Sequence, residues 1–148
     1  ESLCARNVPR CLRAALLREL CGITLDVHLQ EAFVEGIGLG KGGKQGSTDT
    51  PWVWNALLDF LLAPVIQDWI RDSLGFCLKD GLPALSHGIW ADDILWVANT
   101  WPDAQRMCQE LTSALGSGYL SWKPDSLAFL ASPAALQEMQ RVGAPESL

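Results

Sequence analysis

No Cys-x-x-Cys pair occurs in this 148-residue chain, although it holds five cysteines: Cys4, Cys11, Cys21, Cys77 and Cys108. An odd set without paired spacing argues against a disulfide framework and against a structural zinc site, so a reducing, intracellular setting is expected. Excess positive charge is missing too. The formal net charge of −6 argues against a protein that simply coats nucleic acid. No apolar run is expected to approach the ~20 residues a bilayer-spanning helix needs, and no signal-peptide layout opens the chain, so no membrane partner is expected. Repeats, low-complexity tracts and linkers are absent as well, which predicts a single α+β unit over 1–148, long enough to bury a core. The first residue is Glu1 rather than methionine, which points to an excised segment.

What is present is unevenly distributed. Residues 1–44 carry six bases (Arg6, Arg10, Arg13, Arg18, Lys41, Lys44) against five acids, and the remainder carries five bases against twelve acids. An acidic half suits a site for metal cations and suits a solvated acidic surface equally well.

Periodicity supplies the elements. Val8, Leu12, Ala15, Leu16 and Leu20 recur near helical spacing over 8–20. Ile23, Leu25, Val27 and Leu29 alternate with polar residues and predict a half-buried strand, with a second short strand over 33–40. The segment 51–76 opens with Pro51, suited to a first helical turn, and is apolar on nearly every side. It predicts a buried helix, kinked or split at Pro64 and closed by Gly75. Residues 85–98 place two apolar arms around Asp92-Asp93, the pattern of a β-hairpin with acids at or beside its turn. Met107, Leu111 and Leu115 mark an amphipathic helix over 100–118, capped by Thr100 and ended by Gly116 or Gly118. Residues 119–130 read as strand–turn–strand, and 134–141 as a short terminal helix.

Two stretches carry candidate chemistry. The glycine-rich "GLGKGGKQGSTDTP" (38–51) comes within one residue of a phosphate-cradling P-loop. It fails the pattern because Gln45 stands where Ser or Thr should bind magnesium, and because no helix begins at Lys44. What survives is two basic side chains, Lys41 and Lys44, on backbone that glycine lets approach a partner closely, with the Gln45 amide beside them. The acid pair Asp92-Asp93 is flanked by Ile89, Trp90, Ile94, Leu95, Trp96 and Val97. Carboxylates beside such arms are expected to sit near partly desolvated surface, where a divalent cation relieves their repulsion. Magnesium takes one or two carboxylates when phosphate oxygens supply the rest, which makes Asp92 the expected main ligand and Asp93 a lateral one. The stretch also reads as a polar hairpin tip. His87 and His28 are read as ordinary polar residues, and most of the seven tryptophans as core.

Taken together, "KGGKQGSTDTP" followed 47 residues after Gln45 by "IWADDILWVA" resembles the palm of a reverse transcriptase of the non-LTR retrotransposon type. Lys41-Gly42-Gly43-Lys44-Gln45-Gly46 and Thr50-Pro51 match that family's basic-Gly-Gln-Gly segment and the helix after it. Trp90-Ala91-Asp92-Asp93 matches its aromatic-Ala-Asp-Asp hairpin, with Trp for the usual Tyr or Phe. The resemblance covers about residues 8–130. It implies a partial palm domain, an antiparallel hairpin packed on long helices, whose fingers and first catalytic strand lie upstream. It implies an RNA-directed DNA polymerase that uses Mg²⁺ or Mn²⁺, an RNA template, a DNA primer and deoxynucleoside triphosphates, in a nuclear setting. Asp92 and Asp93 would be the catalytic metal ligands; Lys41, Lys44, Gln45 and Gly46 would contact nucleotide and template. Asp26, only 19 residues before Gln45, does not fit the family's first catalytic Asp, and Lys123 and Ser126 replace the Asn and Lys of its next segment. The isolated chain is therefore expected not to polymerise. The alternatives are a non-catalytic retroelement remnant and a protein-interaction module built on the 51–76 helix.

Overall fold

A computed structural model describes residues 2–30, 32–38, 48, 50–123 and 125–143. They form an α+β fold in the order α1 (Ser2–Ala5), α2 (Arg10–Leu20), β1 (Thr24–Leu29), β2 (Ala32–Gly38), α3 (Thr50–Arg71), β3 (His87–Trp90), β4 (Asp93–Trp96), α4 (Trp101–Ser117) and α5 (Pro133–Arg141). Both sheets are two-stranded and antiparallel, β1 with β2 and β3 with β4. The chain divides into two compact units, Glu1–Leu57 and Leu58–Leu148, and the division falls inside α3.

The first unit holds the amphipathic helix and the strand pair that periodicity predicts. Leu25 pairs with Ile37 and Val27 with Val34, so one extra residue bulges from β2 between these pairs. Across that irregularity the Asp26 carboxylate accepts a 2.9 Å hydrogen bond from the amide of Gly36, whose φ of 72° suits glycine. Among the residues of this unit whose side chains are described, none is buried.

The second unit has a core. Leu58, Leu62 and Trp69 of α3 are buried, as are Leu74, Trp101, the Met107–Leu111–Leu115 stripe of α4, and Met139 of α5. Trp69, Leu62, Met107 and Leu111 are the largest fully buried side chains. At about 1.5–3 kcal/mol for each large apolar side chain removed from water, these four carry much of what holds the unit together.

Helix ends follow local chemistry. Thr100 caps α4 by accepting from the Asp103 amide, and Ser132 caps α5 by accepting from the Ala135 amide. Helix α3 stops differently from expectation. Ser73, at φ 55°, takes the left-handed position after the helix; its amide bonds to Ile70 O and that of Leu74 to Trp69 O. Gly75, expected to close the helix, has another task. At φ 124° it lets the chain pass so close to Leu85 that an added Cβ would lie 2.6 Å from the Leu85 carbonyl oxygen. Phe76 and Leu85 then exchange both backbone hydrogen bonds at 2.9 Å, just before β3 begins.

Further expectations need correction. Helix α3 is not split at Pro64, which lies inside it, and only Leu58, Leu62 and Trp69 of it are buried, so it is not buried on all sides. It is also long and apolar enough, by length and composition alone, to cross a membrane, a test that the core helix of a soluble protein passes as well. Asp59, Pro64 and Asp68 interrupt the apolar run in sequence without interrupting the helix. Residues 120–132 contain no strand among those described. Two of their aromatic side chains pack on separate partners: Trp122 lies 6.0 Å from Trp96 and donates to Thr112 Oγ1, and Phe129 lies 5.9 Å from Trp101.

Candidate functional site

The alternation of apolar residues around Asp92-Asp93 folds as a hairpin. Its register pairs His87 with Trp96, Gly88 with Leu95, Ile89 with Ile94 and Trp90 with Asp93. Ala91 and Asp92 are therefore the two-residue loop. Ala91 has φ 55° and Asp92 does not share the positive φ, the sign pattern of a type II′ turn, which ordinarily puts glycine where Ala91 stands. A left-handed alanine is strained by roughly 1 kcal/mol.

This register decides where the two carboxylates go. Asp92 occupies the apex and Asp93 opens β4. Trp90 and Asp93 face one another across the strands, so their side chains share one face of the ribbon. Both acids are exposed, and the Trp90 side chain beside them is 82% exposed. The expectation of a partly desolvated acid pair is thus corrected: Asp92 lies in the loop, Asp93 opens β4, and Ile89, Trp90 and Leu95 of the apolar arms are themselves exposed. Core packing likewise fails for Trp90 and for Trp52, 78% exposed, while Trp69 and Trp101 are core.

The donor set defines which metal complex the hairpin could hold. Among the described residues no group of three or more His, Cys, Asp or Glu side chains converges. Two neighbouring carboxylates do not make a closed protein site. A magnesium ion held by one or two carboxylates takes its remaining oxygens from phosphate and water.

The other predicted site residues divide. Lys41, Lys44, Gln45 and Gly46 lie outside the described residues. Asp26, set aside as a metal ligand on its spacing, is engaged with the Gly36 amide. His87 lies at the far end of the hairpin from Asp92: its Nδ1 is 2.9 Å from the Oγ of buried Ser86, and its ring meets the edge of Trp69 at 6.5 Å. Burial holds its pKa below the ordinary histidine value. His28 packs on Phe33 at 4.4 Å. Lys123 is exposed in a turn where the Ser126 amide and hydroxyl both bond to its carbonyl oxygen.

Sequence reasoning missed the supports beneath the hairpin. The Val97 amide bonds to Ser86 O at 2.8 Å and extends the ladder past Trp96. Asn99 Nδ2 donates to Gly75 O at 2.7 Å, tying the strand that leaves the hairpin to the segment that enters it. Below them the Trp69 indole donates to Glu110, which also accepts from Arg106, and Arg106 reaches Asp72 at 2.6 Å. Arg106 holds the Asp72 carboxyl below its ordinary value. A lone glycine between apolar residues was the available signal for the close approach at Gly75; the charged residues gave none.

No protein-family model, curated protein or solved structure matches the chain.

Proposed function

We propose that the chain is part of an RNA-directed DNA polymerase of the retroelement type, with the β3–β4 hairpin as its metal-binding element. The observation that carries this reading is the position of Asp92 at the apex of a tight antiparallel turn with Asp93 beside it, both open to solvent. Its support in sequence is the "KGGKQGSTDTP" segment preceding "IWADDILWVA" at the spacing given above.

In this reading Asp92 and Asp93 hold Mg²⁺ or Mn²⁺ together with the phosphates of an incoming deoxynucleoside triphosphate. The metal would supply Lewis-acid activation of a primer 3′-hydroxyl and neutralise charge on the pyrophosphate leaving group. By the resemblance, Lys41 and Lys44 would pair with phosphates, and Gln45 and Gly46 would contact the template–nucleotide pair. The partners are an RNA template and a DNA primer, and the setting is nuclear.

A second reading has one observation in its favour. Phe60 and Ile70, on the part of α3 that belongs to the second unit, are 37% and 61% exposed, which suits a protein-interaction module built on that helix. Binding to an RNA–DNA primer–template, followed against salt, separates the two. The polymerase reading expects affinity that falls linearly on a log–log plot as salt rises. Absence of binding at low salt favours the interaction module.

A further inference from the structure

We draw no further inference here: the strongest candidate, the exposed apolar face of the β1–β2 ribbon formed by Leu25 of β1 with Val34 and Ile37 of β2, is an unpartnered surface, and nothing in the structure shows what covers it.

Discussion

The indole Nε1 of Trp69 donates a 2.6 Å hydrogen bond to Oε2 of Glu110, joining a fully buried α3 side chain to the polar edge of α4. An indole N–H inside a core must find an acceptor, and Glu110 is held in place for it by Arg106 at 2.8 Å. Glu110→Ala strands that donor and is expected to cost about 1–3 kcal/mol. Glu110→Gln keeps an acceptor oxygen and is expected to cost less. Urea unfolding of both variants checks the order; equal losses would show that the bond contributes little.

Two helix ends store strain that glycine would release. Ser73 after α3 and Tyr119 after α4 both adopt left-handed φ, at 55° and 60°, and each sits inside a paired set of capping bonds. Ser73→Gly and Tyr119→Gly are each expected to stabilise by roughly 1 kcal/mol, the ordinary penalty for a side chain in that conformation. Gly75→Ala is the opposite case. Its Cβ would meet backbone atoms of Leu85 and Ser86 within 3 Å, and a loss of about 2–4 kcal/mol is expected. Thermal melts of the three variants read both signs.

Stability is expected to depend on pH in two separate windows. His87 has a folded pKa below 6.5, so just under pH 6.5 the unfolded chain binds a proton that the folded chain does not. Stability then falls as pH falls through that window. His87→Gln should flatten the slope there. Asp72, held below 3.8 by Arg106, acts in the same direction at lower pH, and Arg106→Gln should remove its share. Unfolding midpoints measured from pH 8 to pH 3 resolve the two.

Much of the fold is legible in the residues, and the misreadings have physical causes. The α4 stripe and its Thr100 cap, the strands β1 and β2, and the β3–β4 hairpin follow from local chemistry acting over a few residues. The strand–turn–strand reading of 119–130 misleads because Trp122 and Phe129 pack against separate neighbours, Trp96 and Trp101. The apolar character of 51–76 overstates burial, because one stripe of α3 is enough to reach the core of the second unit. At the site, the hairpin and the place of its acids were readable. Their exposure was not, since it depends on which face of the ribbon the core covers. The network from Trp69 to Asp72 joins residues distant in sequence and leaves no periodic mark.

The isolated 148-residue chain is expected not to extend a primer with either Mg²⁺ or Mn²⁺. Two-metal nucleotidyl transfer needs more acidic ligands than Asp92 and Asp93, and among the described residues no third one joins them. Incorporation of labelled deoxynucleotide that disappears in Asp92→Ala would overturn this expectation.

The central claim is that the hairpin acids take a divalent cation jointly with nucleotide phosphate. Titrating Mn²⁺ by electron paramagnetic resonance, with and without a deoxynucleoside triphosphate and primer–template, tests it most directly. The expected result is binding to the protein that strengthens at least tenfold when nucleotide is present and is lost in Asp92→Asn. Binding that ignores nucleotide, or that survives Asp92→Asn together with Asp93→Asn, would contradict the assignment.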